Sequence, residues 1–165
     1  MKSPIQRRVA IAALLLAPVL GACGFSAQTD QVYQAADGVN DRSGNVDILN
    51  ALVVSGTDGA GTLSVTLVDN NQTRADELSS VSGQGIQAST ANIVVPAGGA
   101  ADLSNPGKDG GPQLTLTGPG IKPGQFVTLT FVFASGQSTT LQVQVFPATG
   151  NYTGVPLPSA SPSVS

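Results

Sequence analysis

The chain has 165 residues, 41% hydrophobic and only 10% charged, with a formal net charge of −3, no histidine, one cysteine and one methionine. Those counts exclude a disulfide framework, an imidazole-based catalytic triad and a cluster of soft metal donors, since each needs residue types that are missing. The few bases are scattered, so no run of them tracks a phosphate backbone or an anionic lipid surface.

In chain order, the first element is a signal segment. Lys2, Arg7 and Arg8 form a positive region, Val9 to Leu20 an apolar stretch interrupted by Pro18, and Leu20-Gly21-Ala22-Cys23 follows directly. An apolar run of about twelve residues falls short of the roughly 20 that span a bilayer as a helix. The pattern resembles a bacterial lipoprotein signal peptide, residues 1–22, with its lipobox. The resemblance implies cleavage before Cys23, a diacylglyceryl group on its sulfur and an acyl chain such as palmitate on its new N-terminus. Two or three chains, at about 0.8 kcal/mol per buried methylene, hold a protein stably on a membrane. Lipidation at Cys23, with the bilayer as a partner, is therefore the one site expectation. Beyond it the chain keeps 4 basic and 10 acidic residues, a net charge of −6 over 143 residues, which suits one domain without disulfides.

Residues 23–31 are small and polar, a tether that reaches at most ~28 Å. Residues 32–146 read as strands punctuated by Gly and Pro. In Phe126 to Phe133, Val127, Leu129, Phe131 and Phe133 alternate with Phe126, Thr128, Thr130 and Val132. After Ala134 to Gln137, a second run alternates Leu141, Val143 and Val145 with Gln142 and Gln144. Period-two alternation predicts an antiparallel hairpin with one buried face. Leu63, Val65 and Leu67 behave alike, and Val46 to Val54, Leu78 to Ser82, Ile93 to Val95 and Gln113 to Thr117 are further strands. Lys122-Pro123-Gly124-Gln125 predicts a type II turn. Seven or eight such strands predict an all-β, antiparallel β-sandwich. Residues 147–165, rich in Pro, Ser, Thr and Gly, are expected to form a disordered tail, a candidate for O-linked sugars.

Other chemistry is thin. Asp37, Asn40, Asp41, Ser43, Asn45 and Asp47 gather oxygen donors, but the residues five after Asp37 and Asp41 are Arg42 and Val46, where a calcium loop of the EF-hand type needs Gly. They read as a solvated polar loop. A Ser–Lys dyad would rest on Lys108 or Lys122, both among Gly and Pro in solvated turns where lysine keeps its proton. The neighbouring carboxylates Asp76 and Glu77 diverge on a strand or turn and read as solvated charges. Gly-rich turns such as Thr57 to Thr62 lead into no helix that would cradle phosphate. Asn71-Gln72-Thr73 and Asn151-Tyr152-Thr153 match the N-glycosylation pattern, which a bacterial lipoprotein rarely uses. No catalytic residue, cofactor or metal site is expected, and the chain reads as a non-enzyme.

Four segments in order, Leu63-Ser64-Val65-Thr66-Leu67-Val68-Asp69-Asn70-Asn71, Ala75 to Ser82, Ile93-Val94-Val95-Pro96-Ala97-Gly98-Gly99, and Gly118 to Phe133 with its Lys-Pro-Gly turn, resemble the periplasmic copper chaperone family called PCuAC. The resemblance is strongest to its lipid-anchored actinobacterial branch and covers roughly residues 46–146. It implies a cupredoxin-like β-sandwich. It also implies a copper site built from His and Met, with a His-x-Met pair falling on Gln113 and Thr115, and further ligands in a loop that here shortens to Gln84 to Ala91. None of these positions carries His or Met. Amide and hydroxyl oxygens are hard donors, whereas Cu(I) prefers thioether, thiolate or imidazole.

The expectation is a membrane-anchored, extracytoplasmic lipoprotein of the cell envelope: a non-enzymatic binding or assembly module whose copper-chaperone-like fold has lost its metal site. Its partner would be an envelope protein or polymer, with exposed strand edges as one means of capture. The alternatives are a copper chaperone or metal-delivery accessory protein using non-family ligands, and a small-ligand carrier with a cavity between sheets.

Overall fold

Alternation of buried and exposed side chains decides where each strand lies in the computed structural model, which describes residues 36–89, 91–104 and 112–158. Ten strands follow in order: β1 (Val39–Asp41), β2 (Val46–Thr57), β3 (Ala60–Asp69), β4 (Asp76–Gly83), β5 (Ile86–Ala88), β6 (Ile93–Val95), β7 (Ala100–Asp102), β8 (Leu114–Thr117), β9 (Phe126–Phe133) and β10 (Ser138–Pro147). The chain is all-β as the periodicity predicts. The runs at Phe126 to Phe133 and Ile93 to Val95 match their strands residue for residue. The β9–β10 hairpin pairs Phe131 with Thr139 and Leu129 with Leu141. The Lys122 turn is also as expected, with the Gln125 N–H donating to the Lys122 carbonyl at 3.0 Å and Gly124 at φ 83°.

One expectation needs correction: the sheet is not wholly antiparallel. Pairings run β2-β10-β9-β4-β5-β8-β3, and β3 returns to pair with β2, so the ladder closes on itself like a barrel. A closed circuit of strictly alternating strands needs an even number. This one has seven, and the mismatch falls between β10 and β2, which run parallel with Val145 beside Val53. β1 extends from β2, β7 from β3 and β6 from β4, leaving three short edges. Each is only three residues long, and β1, β5 and β7 carry too little alternation to be read beforehand.

The interior is filled by the inward halves of these strands, including Ile48, Leu63, Leu67, Leu78, Leu114, Leu129, Phe131 and Val143. Fully burying such side chains contributes about 1.5–3 kcal/mol each before chain entropy is charged against it. A second apolar patch lies on the other face of β2, where Leu52 and Val54 are buried opposite Ser64 and Thr62. Phe146 of β10 sits beside Val54 on this side.

The described part of the expected disordered tail covers that patch. Pro147 is the last residue of β10, and Gly150–Tyr152 form a short 3-10 helix. Tyr152 packs its ring 5.3 Å from that of Phe146, and the Thr62 hydroxyl donates to the Pro156 carbonyl at 2.6 Å. A few apolar side chains and a buried hydroxyl are enough to order a Pro-rich segment whose composition alone argues against it. The signal segment, Cys23, the tether and residues 159–165 lie outside the described residues, as do residues 32–35 and Lys108. Among the described residues no helix is long and apolar enough to cross a membrane.

Candidate functional site

The two positions to which the family resemblance assigns copper ligands do come together on one face. Thr115 pairs with Thr62 across β8 and β3, and Gln113 precedes it by two, so all three side chains point to the same side. Two of the three, Gln113 and Thr62, are already engaged. The Gln113 amide donates from Nε2 to the Pro156 carbonyl at 3.0 Å, and Thr62 makes the bond to the same oxygen described above. The Thr115 N–H donates to the Ser89 hydroxyl at 3.1 Å, while the Ser89 N–H donates to the Thr115 carbonyl at 2.8 Å. The segment that contains β5 is thus stitched to β8 by hydrogen bonds. What this face offers is amide, hydroxyl and carbonyl oxygen, and that donor set does not fit Cu(I). Among the described residues no group of three His, Cys, Asp or Glu side chains converges to hold a metal ion.

The oxygen-rich segment at 37–47 disperses instead of converging. Asp37 accepts the Tyr152 hydroxyl at 2.7 Å, Asn40 accepts the Asn50 N–H, and Asp41 accepts both the N–H and the hydroxyl of Ser43. Asp47 takes the Arg42 guanidinium at 3.3 Å and the Asn70 amide at 2.9 Å. Asp37, Asn40, Asp41 and Asp47 thus each bond a different partner instead of sharing one site. Lys122 is exposed in its turn, as expected for a solvated lysine.

A pocket of about 400 Å³ opens at the far end of β3, away from Gln113 and Thr115. Its lining includes Asp69, Arg74, Asp76, Glu77, Val94 and Ser135. Asp69 ends β3 on the inward side, paired with Val46 and only 2% exposed. Its Oδ1 accepts the Asn71 N–H at 2.8 Å, whereas its Oδ2 is buried without a hydrogen-bond partner. Asp76 is the better-satisfied carboxylate. Partial burial raises its pKa, but hydrogen bonds from Ser135 and the Glu77 N–H, with the charge of Arg74, outweigh that and hold it below the ordinary carboxylate value. Asp76 and Glu77 are both half-buried residues of β4 and both contribute to the lining of this pocket. Sequence reasoning passed over Asp69, although the alternation Leu63, Val65, Leu67 continues onto it and places it inside.

No protein-family model matches this chain, and no curated protein matches it in sequence. Solved structures do. The apo PCuAC domain from PmoF1 superposes with a TM-score of 0.56 at 14% identity, covering 66% of this chain and 99% of that one. The fold is PCuAC-like. The copper-bound PCuAC domain from PmoF2 gives 0.52 at 18% identity, covering 66% of this chain and 98% of its own, and the apo PmoF2 domain gives 0.53 at 16%. At such identities the likeness is one of fold, and the PCuAC-like fold agrees with the resemblance read from the four sequence segments.

Proposed function

We propose that the chain is a lipid-anchored, extracytoplasmic, non-enzymatic binding or assembly module, a PCuAC-like domain that has lost its metal site. The observation that carries this reading is the pair Gln113 and Thr115. They occupy the positions that the resemblance assigns to copper, yet their side chains supply only an amide and a hydroxyl, and the Gln113 amide is already bonded to the Pro156 carbonyl. The Leu20-Gly21-Ala22-Cys23 tetrapeptide after an apolar run supports the anchor and the extracytoplasmic side. The absence of histidine from the sequence removes the commonest acid–base group and is in keeping with a non-enzymatic role.

Competition for Cu(I) against a chromophoric chelator, with Cu(II) and Zn(II) in parallel, tests the loss of the site. No displacement of the chelator is expected. Stoichiometric uptake would return the protein to copper handling through ligands outside the family set. For the anchor, the Cys23→Ser variant is expected to lose processing and lipid attachment. A variant that is still cleaved and membrane-bound like the parent would overturn the lipoprotein reading.

A further inference from the structure

We propose that residues 150–158 form an exchangeable strap, and that the groove beneath it takes the same segment from a second copy of this chain. The inference begins with an asymmetry between floor and cover. The floor is withdrawn from water: Leu52 is 1% exposed, and Val54 and Thr62 are 0% exposed. The cover is not. No residue from 148 to 158 is buried or belongs to a strand beyond Pro147, and Leu157 is 39% exposed. A terminal segment that shields other side chains while burying little of itself belongs to the low end of local stability, because few contacts are lost when it opens.

The groove nevertheless has the features of a peptide site. Two donors converge on one carbonyl, since Thr62 Oγ1 and Gln113 Nε2 both reach the Pro156 oxygen, at 2.6 Å and 3.0 Å. Gly56 leaves room for Leu157, because a Cβ there would come within 2.7 Å of the Leu157 Cδ1. At the entrance the Tyr152 ring lies 5.3 Å from that of Phe146, and its hydroxyl donates to Asp37 at 2.7 Å. Neither the floor nor Val155-Pro156-Leu157-Pro158 carries a charge, so the groove matches a neutral segment and offers a charged one no counter-charge. Proline restricts such a segment before it docks, which lowers the entropy lost on binding. A second copy supplies an identical segment, and exchange preserves every one of these contacts. The two arrangements differ only in the connection after β10, where the Ala148 N–H donates to the Ser55 carbonyl at 3.0 Å, so no strand of the ladder has to open. This names the partner for the assembly role proposed above and rests on that reading in this respect alone. Cu(I) competition and Cys23→Ser read neither strap nor groove, so the two proposals stand or fall separately.

The probe is the segment alone, acetyl-Asn-Tyr-Thr-Gly-Val-Pro-Leu-Pro-amide, titrated into the isotope-labelled full chain and followed by backbone amide NMR. In the parent the covalent strap competes at an effective concentration on the order of 1 mM, so weak binding is expected. Tyr152→Ala removes the latch to Asp37 and Phe146 and is expected to raise peptide affinity at least fivefold, with saturable shifts at Val54, Gly56 and Thr62. Tyr152→Phe removes only the Asp37 bond and is expected to raise it less. A purely structural role for Tyr152 would raise neither. Adding Gln113→Ala to Tyr152→Ala removes one donor to the peptide and is expected to lower the affinity at least threefold. Light scattering of the parent is expected to show a mass rising from one chain toward two as its concentration approaches the same ~1 mM. Absence of saturable shifts in both Tyr152 variants, undiminished affinity in the double variant, or a mass that stays at one chain throughout would overturn the proposal. Tighter binding of acetyl-hexaproline-amide than of the chain's own segment would also overturn it, by giving the groove to a foreign proline-rich partner.

Discussion

Gln137 completes the edge of β2 with its side chain: its Nε2 donates to the Val46 carbonyl at 2.8 Å and its Oε1 accepts the Val46 N–H at 2.9 Å. A primary amide presents the same donor and acceptor as a peptide unit, so one residue in the β9–β10 turn substitutes for a missing strand. Gln137→Ala leaves both backbone groups of a buried residue unpaired and is expected to destabilise the fold by ~1–3 kcal/mol in urea denaturation. Gly44→Ala is expected to act on the same contact, because a Cβ there would overlap the Gln137 amide. An unchanged midpoint in both variants would show that Val46 finds other partners.

Asn50 sits at the register shift of β2 with φ 51°. Its side chain accepts the Gly38 N–H at 2.8 Å, and its own N–H donates to Asn40 at 2.6 Å. Asn tolerates left-handed backbone better than other non-glycine residues. Asn50→Ala combines backbone strain with a lost hydrogen bond, a cost of ~1–3 kcal/mol. Asn50→Gly loses the bond but not the conformation and is expected to fall between Ala and the parent in the same denaturation series.

Burial, then the hydrogen bond to Asp37 and the charge of that carboxylate, push the Tyr152 phenol up to about 12 from its ordinary 10.0. The folded chain thus keeps a proton that the unfolded chain releases earlier. The contribution is complete below pH 10 and is lost as pH rises toward 12, so stability declines across that window. With Tyr33→Phe removing the other tyrosine, absorbance titration is expected to show one late phenol. Tyr152→Phe is expected to remove this part of the alkaline decline, and an ordinary titration near 10 would contradict the Asp37 contact.

The Gln113 and Thr115 positions share a face but lack soft donors. The double substitution Gln113→His with Thr115→Met is expected to raise Cu(I) affinity at least tenfold over the parent, read by chelator competition, because imidazole and thioether suit Cu(I). No gain would mean that the strand places these side chains too far apart, or that the tail around Pro156 blocks them.

Long, half-buried strands were legible in the sequence because Val127, Leu129, Phe131 and Phe133 announce a period of two, and the Lys122 turn because Pro and Gly fix its two central conformations. Three-residue strands such as β5 give no period, so the sequence alone assigns no strand around Ile86. The ring closure was hidden for a different reason. Pairing between β10 and β2 depends on how many strands separate them, which no local pattern carries. Gln113 and Thr115 were found by spacing, but their partner Pro156 lies in a segment whose composition argued for disorder, and Asp69 was overlooked although its inward position follows from Leu63, Val65 and Leu67.

The parallel seam between β10 and β2 also governs when the molecule is able to fold. Val53 waits for Val145, which enters the chain after almost every other strand, and the tail that covers Leu52 and Val54 comes later still. Contacts so distant in sequence are slow to form, since the intervening chain must lose its freedom before they stabilise anything. A chain emerging N-terminus first would keep the β10-facing edge of β2 unsatisfied until its final strand arrives, which makes early truncation or stalling a route to aggregation rather than to a smaller folded domain.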